Sequence, residues 1–299
     1  MPPFLQRLIS LWRPALEGFR LMWAHPWSVV LWVGTYLAAV LGLGVLIAVS
    51  IGRTGVVGLE YRFAAAFAQP ARIPEFILHF GWIPAGLLVL SLLVGVVLVS
   101  AMYRAVLAPG EFQVGYMRLS DDELRLFVVS LLTPLLVPGV PLAIAGSVAT
   151  SAYQTAGPIR WLGFIGIIAL SVLTVWLMVR LMLVGPMTLD RGEHSIQDSW
   201  QMTRGRVLPL IGLCLISGVL AITLYAVGTF VVNAAADGLE AIRPRYHGGG
   251  INWGKLLLLL AKYLAQPILA TLGWVVVAAP AAAVYRNWRE QPVNLGAAV

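Results

Sequence analysis

Charge is scarce in this sequence. Only 11% of its 299 residues are Asp, Glu, Lys or Arg, where a soluble domain carries about a quarter. Acids are rarer than bases, 13 against 20, which leaves a net charge of +7. Lysine is nearly missing: Lys255 and Lys262 are the only two. An Arg-rich, Lys-poor chain full of Ala, Val and Leu points to a GC-rich bacterial genome. There is one cysteine, Cys214, set inside an apolar run. That excludes a disulfide framework within the chain, and the residue reads as a small apolar packing group. The four histidines, His25, His79, His194 and His247, fall near the ends of apolar runs or in loops, and no pair has ligand spacing on one helix. Neither a serine nucleophile elbow nor a dinucleotide fingerprint is present. Gly248-Gly249-Gly250 lacks the Lys-Ser/Thr that a phosphate loop needs. No cofactor or metal is expected, and the catalytic classes that announce themselves by motif are disfavoured.

Apolar residues fill the space that charge leaves. They make up 60% of the chain, and the mean hydropathy is +0.87. A chain of this length can bury an ordinary core, so small size does not explain the excess; a bilayer does. A span needs about 20 apolar residues. Six stretches qualify, near 27–51, 82–107, 124–150, 161–186, 207–236 and 256–285. Each is apolar around the whole helix, unlike an amphipathic soluble helix, and none alternates as a barrel strand would. The expected fold is an all-α polytopic bundle of six membrane helices, forming one membrane domain over 1–299. Trp82 and Arg104 bracket the second span, and Trp161 and Arg180 the fourth. With Arg286 at the end of the sixth, these are the expected interfacial anchors. Pro267 and Pro280 lie inside the sixth run, where kinks are expected.

Orientation follows from the basic residues. One side holds Arg7, Arg13, Arg20, Arg104, Arg118, Arg125, Arg180, Arg191, Arg204, Arg206, Arg286 and Arg289, twelve in all. The other holds Arg53, Arg62, Arg72, Arg160, Arg243, Arg245, Lys255 and Lys262, which is eight. The richer side carries both termini, so both are expected in the cytoplasm of a bacterial inner membrane. The basic residues flank apolar runs, which favours membrane lipids over nucleic acid as the partner. The first apolar run starts late and is too long for a signal-peptide core, so no cleaved signal is expected.

Residues 1–24 read as an amphipathic interfacial helix. Gln6, Ser10, Arg13, Glu17 and Arg20 form a polar stripe opposite Trp12, Phe19, Trp23 and several leucines. Pro14 is expected to divide it. Ser120-Asp121-Asp122-Glu123 has the form of a capping box opening the third span. Ser195 to Trp200 resembles a second helix start. On the other side, Leu59–Ala68 is a candidate for a short separate helix in the connection Gly52–Gly81, and Gly248–Gly250 makes the last connection loose.

The even spans end alike. The second closes Arg104-Ala105-Val106-Leu107 before Pro109-Gly110, the fourth Arg180-Leu181-Met182-Leu183 before Gly185-Pro186, and the sixth Tyr285-Arg286. Each odd span follows a lead with an aromatic: Phe19, Tyr116 and Trp200. A threefold repeat of lead plus hairpin produces this pattern, and so does convergent interfacial chemistry. The segment Ser199-Trp200-Gln201-Met202-Thr203-Arg204-Gly205-Arg206-Val207-Leu208 is similar to a motif in bacterial six-span membrane proteins. These are uncharacterised relatives of the membrane domain that accompanies some glycerophosphodiester phosphodiesterases. The resemblance covers the six-span layout and this motif. It implies a helix lead-in without a catalytic role. The phosphodiesterase chemistry of such proteins belongs to a separate soluble domain with His and acidic metal ligands. That pattern is not found in these residues, so hydrolase activity does not carry over.

Few residues remain as functional candidates. Asp190, Glu193 and His194 form the densest polar cluster, with the makings of a metal or acid–base site; a solvated turn after Gly185-Pro186 is the simpler account. Asn233, Lys262 and Gln266 are polar groups inside spans, where burial in lipid is costly. Lys262 is close enough to the interface to snorkel, and Gln266 is placed to satisfy a carbonyl freed by Pro267. No Asp or Glu lies in the middle of a span, which lowers the odds of ion-driven transport. The leading expectation is a non-enzymatic membrane protein acting through lipid or protein contacts, as an accessory subunit, assembly factor or lipid-handling protein in a larger membrane complex. A transporter or channel for an apolar or amphipathic solute is the alternative, and a membrane enzyme the weakest reading.

Overall fold

The structure, a computed structural model, describes residues 12–68, 82–110, 114–118, 120–134, 158–192, 196–242 and 253–290. All regular elements among the described residues are helical. In chain order they are α1 (Glu17–Ala24), α2 (Pro26–Ala68), α3 (Trp82–Leu107), a 3₁₀ turn (Val114–Tyr116), α4 (Asp121–Pro134), α5 (Pro158–Leu181), α6 (Val184–Arg191), α7 (Ile196–Met202), α8 (Val207–Ile242) and α9 (Trp253–Glu290). Among the described residues, five stretches are long and apolar enough to cross a membrane: Pro26–Leu46, Val89–Leu107, Ile165–Arg191, Val207–Gly238 and Leu260–Arg289. The chain is an all-α, multi-pass membrane protein. The expected third span is described only as far as Pro134 in α4; its remainder lies outside the described residues, as do residues 1–11 and Gly248–Gly250.

Several expected boundaries change. The separate helix expected at Leu59–Ala68 is instead the end of α2, whose 43 residues reach about 65 Å at 1.5 Å per residue. Gly52, Gly55 and Gly58 only weaken a helix, and Pro70 is the first residue after Pro26 that can stop one. The fourth span does not run unbroken to Pro186. It turns at Met182–Leu183 and resumes as α6, with Gly185 and Pro186 in its first turn, where proline is tolerated. Asp190 therefore lies on a helix and not in a solvated turn. The lead does divide, but at Leu16 and not at Pro14, which lies within the helical turn before α1. α8 and α9 extend to 36 and 38 residues, well past the 20 or so that a bilayer needs.

The last helix is the hub. α9 packs against α1, α2, α3, α6 and α8, and its span is 56% buried, against 11% for the first. Small residues make this possible: Ala279, Ala281, Ala282 and Ala283 are all buried and let neighbouring backbones approach. Gly18 of α1 seats directly on α9, where a Cβ would lie 2.6 Å from Val276 Cα. Two apolar clusters fill the adjoining volume. One joins Leu21, Trp32, Leu98, Met102 and Tyr116 to α9, and the other joins Ala15, Leu183, Met187, Leu210 and Leu213 to Tyr285. Both lie toward the end where Arg104, Arg180 and Arg286 sit. Farther from that end, α2, α5 and α8 expose Leu41, Val45, Ile165, Ile168, Ile222 and Phe230, as lipid-facing surfaces do.

Candidate functional site

Polar chemistry concentrates where α3, α5 and α9 end. Arg104, at the end of α3, pairs with Glu123 in the first turn of α4, and the two side chains are only 13% and 4% exposed. Arg104 also donates toward the Tyr116 carbonyl at 3.5 Å. Glu123 reaches back to the Ser120 backbone N–H at 2.9 Å, as a capping box requires. The Ser120 hydroxyl departs from that pattern: it donates to the Glu123 carboxylate instead of receiving a backbone N–H. Burial opposes ionisation of Glu123, but the Ser120 hydroxyl and the Arg104 guanidinium outweigh it and hold the carboxyl below its ordinary range. Among the described residues no group of acids, His and Cys is arranged to hold a metal ion.

Arg180 ends α5 in a different setting. Its guanidinium lies 4.7 Å from the Trp200 ring and 5.2 Å from the Trp176 ring, and it donates to the Trp200 carbonyl at 2.9 Å. Ser199 closes the loop, its hydroxyl donating to the Arg180 carbonyl at 2.8 Å. Farther along, Arg206 lies over Trp288 of α9 at 4.7 Å. The Ser199–Leu208 motif thus ties α7 and the start of α8 to the ends of α5 and α9.

Arg286, at the end of α9, reaches back to the lead. It bonds Glu17 of α1 at 3.2 Å and the Val106 carbonyl of α3 at 2.9 Å. Glu17 also faces Arg20 at 3.5 Å. Beside this pair opens a cleft of about 510 Å³, lined by Arg13, Pro14, Leu16, Glu17, Arg20, Ala283, Arg286 and Asn287. Three arginines and one glutamate are among these lining residues. The lead around it exposes Trp12, Leu16 and Trp23, and Trp27 follows at the start of α2.

The residues singled out from sequence do not form one site. Asp190 is held by the Tyr285 hydroxyl and by Arg289, each at 2.6 Å. It fastens α6 to α9. Glu193 and His194 lie outside the described residues. Lys262 meets Asp237 across the α8–α9 hairpin at 3.3 Å. Gln266 accepts a hydrogen bond from Tyr225 of α8, and Asn233 is exposed. The Tyr225 bond is a partner that proximity to Pro267 does not indicate. Of the expected anchors, Trp161 is 71% exposed and the Trp82 side chain lies outside the described residues. Arg104, Arg180 and Arg286 grip neighbouring segments. Cys214 is exposed, its thiol 3.4 Å from the Met182 sulfur.

The charged residues of the cleft were each legible in the sequence, but their assembly was not. Arg13, Glu17 and Arg20 belong to the recognised stripe, and Arg286 was a separate anchor. Glu17 and Arg286 are 269 positions apart, beyond any spacing rule. The usable signal is Glu17 itself, a lone acid in a basic stripe. No family model, no curated protein and no solved structure matches this chain.

Proposed function

We propose that the chain is a non-enzymatic protein of a bacterial inner membrane that works through lipid or protein contacts at its arginine-rich end. Its role is that of an accessory subunit, an assembly factor or a lipid-handling protein, and both termini face the cytoplasm. The observation that carries this reading is the docked lead. A helix with exposed Trp12, Leu16 and Trp23 is fastened to the hub helix through Glu17 and Arg286. An interfacial helix needs such an apolar and aromatic face to lie among headgroups. Fastening it to the core couples whatever it touches to the whole bundle. The positive-inside count places this end on the cytoplasmic side. The likeness of Ser199–Leu208 to the six-span relatives fits the same picture, because that segment serves here as a tie between helices.

Transport finds less support. Lys262, Gln266 and Asn233 are engaged along, or exposed on, one hairpin, and do not converge on a shared path. An enzymatic reading built on Asp190 must contend with its two partners, Tyr285 and Arg289.

The test is extraction of the full chain in mild detergent, followed by mass spectrometry of the lipids and proteins that remain bound. Enrichment of a lipid class or a defined protein over the bulk membrane supports the reading. Recovery with bulk composition only, or turnover by the pure protein that Asp190→Asn abolishes, overturns it.

A further inference from the structure

We propose that the cleft between the lead and the end of α9 binds the phosphate of one anionic phospholipid. This deepens the lipid-contact reading above and rests on it.

Charge is the first argument. Arg13, Arg20 and Arg286 line the cleft, and Glu17 is the only acid among its described lining residues. Glu17 is already engaged by Arg286 at 3.2 Å and by Arg20 at 3.5 Å. The site therefore keeps an excess of positive charge with its donors partly unspent. Guanidinium groups match phosphate oxygens in geometry as well as charge.

Preorganisation is the second. Arg286 is only 26% exposed at its side chain, and the Val106 carbonyl and Glu17 fix its direction. A ligand that meets it does not have to immobilise a free side chain. Arg20 is 75% exposed and meets Glu17 only at a long 3.5 Å, so it can swing over an arriving headgroup.

Size and position are the third. A volume of about 510 Å³ falls within the range of about 300–1,000 Å³ usual for small-molecule sites. The remaining walls are the Asn287 amide and three apolar residues, Pro14, Leu16 and Ala283, which suit a glycerol backbone and the first acyl carbons. Trp23 lies three residues beyond Arg20 and is 88% exposed, and Trp27 is 75% exposed. Tryptophans so exposed settle at headgroup depth, which puts the cleft where lipid phosphates are. A zwitterionic headgroup fits less well, because its ammonium would meet three guanidinium groups and a carboxylate already paired. Soluble phosphates share the oxyanion but have no tails to use the apolar wall.

The experiment titrates the purified full-length protein, in a nonionic detergent, with three probes. They are a short-chain phosphatidylglycerol, a phosphatidylcholine of equal chain length, and glycerol 3-phosphate, with adducts counted by native mass spectrometry. Phosphatidylglycerol is expected to bind saturably at one molecule per chain, more weakly as salt is raised, with the other two at least about tenfold weaker. Each arginine lost is expected to weaken it about tenfold, the scale of a charge-assisted hydrogen bond. The double variant Arg13→Gln/Arg20→Gln tests this at two exposed positions, with an unchanged melting temperature as the folding control. Arg13→Gln alone is expected to shift binding in the same direction. Equal binding of phosphatidylcholine, equal binding of glycerol 3-phosphate, or undiminished phosphatidylglycerol binding by a folded double variant overturns the proposal. If the wild type retains enriched lipid and the double variant retains it equally, the cleft assignment alone fails. If the wild type retains neither lipid nor partner, the broader reading fails with it.

Discussion

Removing the Glu123 side chain should destabilise the protein more than its single carboxylate suggests. Glu123 and Arg104 are both nearly sealed from solvent, at 4% and 13% exposure. Glu123→Ala leaves a buried guanidinium whose remaining hydrogen bond among the described residues is a long one, 3.5 Å, to the Tyr116 carbonyl. It also strips the acceptor from the Ser120 N–H. Breaking one side of a buried pair costs about 3–5 kcal/mol, and a pair beside headgroup water belongs at the low end, about 3 kcal/mol. For a chain of this length that loss corresponds to a melting point lower by roughly 5–10 °C. The 11 tryptophans provide the probe, as intrinsic fluorescence followed on heating in detergent at pH 7. Removing both charges should recover most of the loss. Arg104→Met/Glu123→Leu replaces the pair with apolar groups of similar size, a change that is often neutral or stabilising. Acid provides an independent arm. The folded carboxyl titrates below its ordinary value, so its contribution is complete above that value, about 4.3, and fades as pH falls through the lowered one. The gap between wild type and Glu123→Ala should therefore narrow only in that acid window. A Glu123→Ala protein that melts with the wild type at pH 7 would refute the reasoning, as would a double variant no better than the single one.

Three further outcomes follow from the packing. Gly18→Ala puts a methyl group 2.6 Å from Val276 Cα and 2.9 Å from the Val275 carbonyl oxygen. Backbone cannot yield as a side chain can, so α1 must lift, at about 1–3 kcal/mol; limited proteolysis should cut the lead faster, and an unchanged rate counts against the docked geometry. Arg180→Lys keeps the charge but loses the guanidinium that lies beside the Trp176 and Trp200 rings. About 1–2 kcal/mol should disappear, read as a lower melting temperature, and equal melting would mean that charge alone matters there. Lys262→Met removes a pair whose side chains are 35% and 72% exposed, so less than about 1 kcal/mol should change, and a larger drop in stability would show that the pair carries more than a surface contact.

Much of the architecture was legible because it follows from local composition. The second span was placed at 82–107, and α3 runs Trp82–Leu107: an aromatic opens it, an arginine comes near its close, and Pro109-Gly110 follows. Apolar residues around the whole circumference identified the other long helices just as directly. Their ends were less legible, because glycine weakens a helix without ending it, as α2 shows, and because α6 resumes after a two-residue turn that no proline marks. The site was least legible of all. Asp190 finds Tyr285 and Arg289 some 95 to 99 positions later. Such pairings depend on which helices become neighbours, and a bundle of uniformly apolar helices carries little pattern to say so.

The three arginines that close the second, fourth and sixth spans share one geometric role despite unlike partners. Each fastens the connection or lead that enters an odd-numbered span. Arg104 holds the start of α4, Arg180 holds α7 ahead of α8, and Arg286 holds α1 ahead of α2. The first and last use a carboxylate, while the middle one uses a carbonyl and two indole faces. The series is cyclic, since the last helix returns to the first lead and the ring of ties closes through the hub. Repeated units and convergent chemistry both produce such ends, but closure has its own physical consequence. A bundle held by lipid-facing contacts alone has no hydrophobic drive between its helices. Polar ties at one end supply direction that apolar packing there lacks. Glu17 shows the difference between a tie and a site. Glu123 faces one arginine and is sealed with it, whereas Glu17 faces two and leaves a third, Arg13, beside an open cleft. Of the three ties, this one retains both excess charge and room for a ligand, so any function that works through this end of the molecule should be sought there first.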